Sequence, residues 1–361
     1  MIVSIQSMQV NRRFARFALE PFRTAPDRES LARRLGDADQ ALDRLLAAEG
    51  LAALWYDWIV DHRAAVPREF LSHLRVHRHT ESARCLLQRT IARRVCRCLT
   101  ETDIRCAVFK GVAARERLYD DPSLRPADDV DIIVDPEHVA IAIQTLSANG
   151  FLLQPDRRNL SHEVMLHDDY TTIDLHWHIL RPGRCRIDLS RKLLDTLKSQ
   201  EPFPVLSGDA DLLVMLVHPA ITNYINGRTS KLIRVVDLDR TLRTTQPDWD
   251  WILPLISAAG LRTAAWAVLY WQRSLLDTPV DPTVLRYLEP GRLQRRYLTS
   301  WIDHRLTARL DVVPGLVQWG FTLALHERPG DALRFIVQRA KAGLEAGSIL
   351  KQLQQISRTP D

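Results

Sequence analysis

The 361-residue chain lacks an apolar run long enough to cross a bilayer. The uncharged stretch Val312 to Leu325 is broken by Pro314, Gly315 and Gln318 and falls short of the roughly 18 apolar residues of a membrane helix. No secretory leader is expected either, because Arg12, Arg13 and Arg16 stand where its apolar block belongs. Cysteine is scarce and odd in number. Cys85, Cys96, Cys98, Cys106 and Cys185 include no Cys-x-x-Cys pair, which excludes a disulfide framework and a zinc ribbon. These absences predict a cytoplasmic chain with reduced, mostly buried thiols. Lysine is confined to Lys110, Lys192, Lys198, Lys231, Lys341 and Lys351, so the net charge of +5 rests on arginine. An arginine bias of this size says little about a nucleic-acid partner. With 46% apolar and 26% charged residues, and no internal repeat or low-complexity linker, disordered and fibrous classes are excluded.

Apolar residues recur at helical spacing from about Ser30 to Thr100, as in Leu42, Leu45, Leu46, Leu51, Leu54 and Ile59. The pattern changes at Arg105. Short β-branched runs at Cys106 to Phe109 and Val130 to Val134 are bounded by turn formers and predict strands. Helices are predicted from Val112 to Tyr119 and from Glu137 to Ala148, the second stopping at Asn149-Gly150. Glu163 to Leu166 and Thr171 to Ile179 predict a hairpin turning at Asp168-Asp169. Beyond Pro204 the spacing is helical again, around Asp209 to His218, Ser230 to Arg243, Trp249 to Ala259 and Arg262 to Leu276, and on toward Gln354. The expected fold class is α+β: an N-terminal helical region over 1–100, a small mixed-sheet core over 101–204 and a C-terminal helical domain over 205–361.

Asp129 and Asp131 open the second strand and, two residues apart, share one face. Their Cα atoms are then roughly 6 to 7 Å apart, close enough for both carboxylates to meet one divalent cation. From Thr171 to Ile179, alternation sends Ile173, Leu175, Trp177 and Ile179 to one side and Thr172, Asp174, His176 and His178 to the other. An Asp-x-Asp pair is common, and a lone outward acid on an edge strand is ordinary. The combination of three acids with Lys110-Gly111 upstream is more telling, since glycine lets backbone amides approach a phosphate at a helix N-terminus and Lys110 neutralises it. Such a cradle beside paired carboxylates fits metal-assisted phosphoryl or nucleotidyl transfer. Arg125 is expected to position the aspartates by ion pairing.

Other features weigh less. His73 and His77 form an i, i+4 pair, with His79 beside them, but no neighbouring cysteine or carboxylate in the sequence completes a metal set. His218 ends a helix, where a capping role is the ordinary one. Arg89, Arg93 and Arg97, with Arg94 alongside, make a basic stripe that is a solvated face by default or a docking surface for RNA or an acidic peptide. No aromatic residues interleave with it, so base stacking is not indicated.

Phe109-Lys110-Gly111, Leu118-Tyr119-Asp120-Asp121-Pro122, Arg125, Asp129-Val130-Asp131-Ile132-Ile133-Val134, Gly150-Phe151 and Ile173-Asp174-Leu175-His176-Trp177 form a series. It continues through Leu213 to His218, Leu232-Ile233-Arg234-Val235-Val236-Asp237-Leu238 and Asp248-Trp249. Over about residues 100 to 275 the chain thereby resembles the uncharacterised nucleotidyltransferase family of the DNA polymerase β-like superfamily. The resemblance implies that Asp129 and Asp131 hold Mg²⁺ or Mn²⁺ against an NTP such as ATP, with Asp174 joining them as the third metal ligand to activate an acceptor hydroxyl. It makes Lys110, Gly111, Arg125 and His176 the nucleotide-binding residues. Lys110-Gly111 stands where the superfamily usually has Gly-Ser, and Gly111 lies eighteen positions before Asp129, a longer gap than usual. Members often sit among genes for modified peptides or surface polysaccharides, so the expected acceptor is a peptide, a saccharide or an RNA. Two other functions stand beside this one: a non-catalytic scaffold that binds a peptide or RNA through its helical flanks, and a metal-dependent phosphohydrolase.

Overall fold

The computed structural model describes residues 12–36, 38–154, 162–222, 225, 231–304 and 314–341. Five helices precede the sheet: α1 (Arg12–Leu19), α2 (Arg28–Leu35), α3 (Gln40–Ala48), α4 (Ala52–Asp61) and α5 (Arg68–Thr100). The carboxylates of Asp27 and Asp39 accept from the backbone N–H groups of Ser30 and Leu42, which starts α2 and α3 with side-chain caps. Helix α5 has 33 residues and spans about 50 Å at 1.5 Å per residue. Its first half sends Phe70 and Leu74 into a core built by the helices. Its second half lays Ile91, Val95 and Leu99, one turn apart, against the sheet.

The sheet contains β1 (Cys106–Val108), β2 (Val130–Val134), β3 (Leu152–Leu153), β4 (Glu163–His167) and β5 (Thr172–His176) in the order β1-β2-β5-β4-β3. Only β2 and β5 run parallel, and their register sets Asp131 beside Asp174. Helix α6 (Lys110–Leu118) follows β1, and α7 (Val139–Ala148) follows β2. Val130, Ile132, Val134, Ile173 and Leu175 turn toward α5 and α7. The pleat therefore sends Asp131, Ile133, Asp174 and His176 to the opposite face. There Ile133 joins the helical core that includes α8 (Ser190–Leu194), α9 (Gly208–Ile221) and α10 (Ile233–Thr244). The α+β class is as the sequence predicts.

Four departures from expectation lie outside the β1–α6 turn and the loop before β2. Strand β5 stops at His176, because the amides of Trp177 and His178 both donate to the carbonyl of His162, at 3.0 and 3.2 Å. Alternation ends there, and His178 turns to Asp188, with Nδ1 3.1 Å from its carboxylate, instead of sharing the face of Asp174. Strand β3 is only two residues long, too short to show a period. The arginine stripe is partly anchored: Arg89 lies 3.6 Å from Glu116, Arg93 3.5 Å from Glu201, and Arg94 sits 4.5 Å above the Phe151 ring. The pair His73 and His77 meets a carboxylate from another helix, Asp43, at 3.8 and 3.3 Å.

The cysteines are all free, four of them buried. Among the described residues no helix is long and apolar enough to cross a membrane. The first eleven residues, and the helical continuation expected from residue 342 toward Gln354, lie outside the described residues.

Candidate active site

The turn from β1 into α6 brings in the first site residue. Lys110 takes a left-handed backbone conformation, φ 55°, which a lysine adopts only where its surroundings demand it. Its ammonium thereby reaches the polar face of the sheet. Lys110 Nζ donates to Asp131 Oδ1 at 2.6 Å, and His176 Nε2 lies 2.9 Å from the same oxygen and 3.1 Å from Nζ. The edge of the His176 ring meets Phe109, centroid to centroid 5.1 Å. On its far side, His176 Nδ1 is 3.0 Å from Glu163 Oε2. Glu163 is placed by the β4–β5 hairpin, which pairs it directly with His176. The hairpin turn closes as predicted, with Asp168 Oδ1 accepting from the N–H groups of Tyr170 and Thr171.

Electrostatics follow from this crowding. Burial pushes Asp129 up, and Asp131 and Asp174 push it further, to about 8. Burial acts the same way on Asp131, but Lys110 and His176 more than offset it and hold that carboxyl well below its usual range. For Lys110, burial opposes the charge, yet Asp131 and Glu163 hold the ammonium above the ordinary lysine value. Burial, reinforced by Lys110, lowers His176 to about 4. A neutral imidazole carries one N–H, so it cannot donate to both Asp131 and Glu163. Nε2 faces Asp131 and Lys110, while Nδ1, beside Glu163, makes no hydrogen bond among the described residues.

Asp131, Asp174 and His176 present ligand atoms that all lie within 4.8 Å of one another. With Asp129 adjacent, this oxygen-rich donor set suits a hard divalent cation, and the concentrated negative charge that raises Asp129 is what such a cation relieves. These groups line a cavity of about 470 Å³ together with His218, Arg234, Arg181, Arg184 and Arg339. His218 is thus a cleft residue. Burial, then Lys110 and Arg234, hold its imidazole well below the usual range.

Arg125 and Gly111 take places other than those expected. The guanidinium of Arg125 pairs with Asp237 of α10, Nη2 to Oδ2 2.8 Å and Nε to Oδ2 3.1 Å, not with the aspartates of the strand. Tyr119 donates to the other oxygen of Asp237 at 2.8 Å. Gly111 has the space of its missing side chain filled by Arg125: a Cβ there would lie 2.7 Å from Nη1 and 3.1 Å from the Ala127 Cβ. Because Asp237 holds that guanidinium in place, Gly111→Ala is expected to destabilise the protein by about 1 to 3 kcal/mol through overpacking, measurable by urea denaturation. Other members of the motif series also serve the scaffold. Asp121 pairs with Arg78 and caps the turn at Ser123, and Asp248 caps α11 (Trp249–Ala259).

Glu163, Arg181 and Arg184 escaped the sequence reading. Hairpin register could have found Glu163, since a four-residue turn after His167 sets it opposite His176. The two arginines bracket a Pro-Gly turn that carries no chemical motif.

Among curated proteins none matches the chain. A family described as uncharacterised nucleotidyltransferase matches residues 37–277, more than half of the chain, and reaches back into helices that the motif series leaves out. With Asp131 and Asp174 on adjoining strands, Asp129 just before the first of them, a basic residue at the strand-to-helix turn and this match over sheet and flanking helices, the chain belongs to the uncharacterised nucleotidyltransferase family.

Proposed function

We propose that the cleft transfers a nucleoside monophosphate from an NTP to a hydroxyl or phosphate acceptor, with Asp129, Asp131 and Asp174 as the oxygen ligands of Mg²⁺ or Mn²⁺ and His176 beside them. The observation that carries this reading is the parallel register that puts Asp131 next to Asp174 on the polar face, with Asp129 two residues away. When bound, the cation offsets the charge of the polyphosphate and lowers the pKa of an acceptor hydroxyl. Asp174 is the acid placed to receive the hydroxyl proton. Lys110 supplies the mobile positive charge that a γ- or β-phosphate needs as pyrophosphate departs. His176, neutral near pH 7, orients Asp131 through Nε2. His218 and Arg234 complete the lining of the cleft.

The test is incubation of the full chain with each labelled NTP, Mg²⁺ or Mn²⁺, and a panel of hydroxyl and phosphate acceptors. Pyrophosphate release that depends on an acceptor is the expected result. Release of inorganic phosphate without an acceptor would make the protein a phosphohydrolase. Absence of both turnover and nucleotide binding would leave only a scaffold.

A further inference from the structure

One part of the cavity lining is built by a turn and a helix. Arg184 N–H donates to the carbonyl of Arg181 at 3.1 Å, and Gly183 between them has φ 83°. With Pro182 preceding Gly183, this is the type II pattern, which brings residues i and i+3 together, so Arg181 and Arg184 line the cavity side by side. Helix 329–341 closes over the turn. A Cβ on Gly183 would stand 2.9 Å from the Gln338 Cβ and 3.1 Å from the Phe335 Cα, a contact only glycine permits. The same helix carries Arg339 into the cavity lining.

Arg184 is 6% exposed, its guanidinium 4.1 Å above the Phe335 ring. Its Nε and Nη1 make no hydrogen bond among the described residues. Asp331, on the same helix as Phe335, and Glu327 just before that helix are engaged by Arg186, at 2.7 and 3.2 Å. The groups acting on Arg184 are burial and two like charges, Arg181 and Arg339, which together lower it to about 9. Arg184 is the buried member of the three, and a buried guanidinium with nitrogens that lack an acceptor is unfavourable unless an anion completes it.

Position decides which anion. Across the sheet the order is Lys110 at the end of β1, Asp131 on β2, Asp174 and His176 on β5, and Glu163 on β4. Arg181 feels the charge of Glu163, so the arginine wall lies beyond the carboxylates on the side away from Lys110. In-line displacement puts the departing pyrophosphate and the attacking group on opposite sides of the reacting phosphorus. With the polyphosphate toward Lys110, the arginines face the acceptor. We propose that Arg181, Arg184 and Arg339 form an anion subsite for the acceptor, which therefore carries a phosphate monoester. The identity of the substrate that brings the anion rests on the nucleotidyl-transfer reading; the existence of the subsite does not. Arg339 also falls outside residues 37–277, so the subsite includes a group that the family match does not cover.

The experiment titrates inorganic phosphate into the full chain by calorimetry, alone and after saturation with a non-hydrolysable NTP analogue and Mg²⁺. Phosphate is expected to bind in both cases. Arg184→Gln should weaken it at least 10-fold and Arg339→Ala, on an exposed helix position, at least 3-fold, while the affinity for the analogue changes less than 2-fold. Should Arg184→Gln fail to fold, the Arg339→Ala titration decides alone. Phosphate that does not bind, or binds both variants as it binds the wild type, overturns the subsite. If the analogue excludes phosphate and both variants lose analogue affinity, the arginines hold the nucleotide's own polyphosphate and the acceptor assignment is overturned. Arginine-dependent phosphate binding with no analogue binding upholds the subsite and overturns the nucleotidyl-transfer reading.

Discussion

Asp129→Asn is expected to abolish nucleotidyl transfer while making the metal-free protein more stable at alkaline pH. Asp129 titrates at about 8 because burial and the charges of Asp131 and Asp174 disfavour its carboxylate, whereas an aspartate in an unfolded chain titrates at about 3.9. Between those two values the folded protein keeps a proton that the unfolded chain has released. Stability therefore falls as pH rises from about 4 to about 8, and levels off above that. Asparagine does not titrate and escapes the loss. At pH 8.5 the variant should melt roughly 5 °C or more above the wild type, at about 2 to 4 °C per kcal/mol for a large domain; near pH 4 the two should coincide. Pyrophosphate release should drop by at least about two to three orders of magnitude, since a carboxylate of the proposed cation site is gone. An inactive variant that melts below the wild type at pH 8.5 would contradict the charge cluster. A fully active one would remove Asp129 from the reaction.

The largest expected loss of stability follows removal of Arg125. Arg125 and Asp237 are 6% and 3% exposed, and their bond joins the loop before β2 to α10. Arg125→Met leaves the Asp237 carboxylate buried with only the Tyr119 hydroxyl on it, and breaking a buried pair in this way costs about 3 to 5 kcal/mol. Asp237→Asn should cost somewhat less, because asparagine still accepts from Tyr119 and Arg125. In the double variant Arg125→Met with Asp237→Leu, no charge is stranded. Urea denaturation should then show a loss well short of the sum of the two single changes. Additive losses would mean that the pair is not coupled and that packing alone explains each effect.

Much of this fold could be read along the chain. The alternation in Thr172-Ile173-Asp174-Leu175-His176 and the turn at Asp168 are local, and local geometry alone produces them. Asp129 and Asp131 were likewise visible as a pair on one face. What could not be read depends on residues distant in sequence. Nothing near Arg125 announces Asp237, 112 positions away, so its family-motif arginine looked like a partner for the adjacent aspartates. The left-handed backbone at Lys110 is imposed by tertiary packing against the propensity of lysine, and it moved the special conformation from Gly111 to its neighbour. Helical spacing from Ser30 to Thr100 predicted helices but not that α5 would serve two cores at once. The cluster of Arg181, Arg184 and Arg339 needs a helix more than 140 residues downstream of the turn, which no motif of one segment can encode.

Lys110 bound to Asp131 makes the free protein its own salt. Asp131 already owns a positive charge, so exchanging one cation for another at that carboxylate gains little while the ammonium stays in place. A polyphosphate changes that balance by offering Lys110 a new partner, so the lysine can leave the aspartate without stranding either charge. Order of addition then follows from charge neutrality. On the proposed nucleotidyl-transfer reading, the nucleotide draws Lys110 away before a divalent ion takes its place, and divalent ions alone leave the Lys110–Asp131 pair intact.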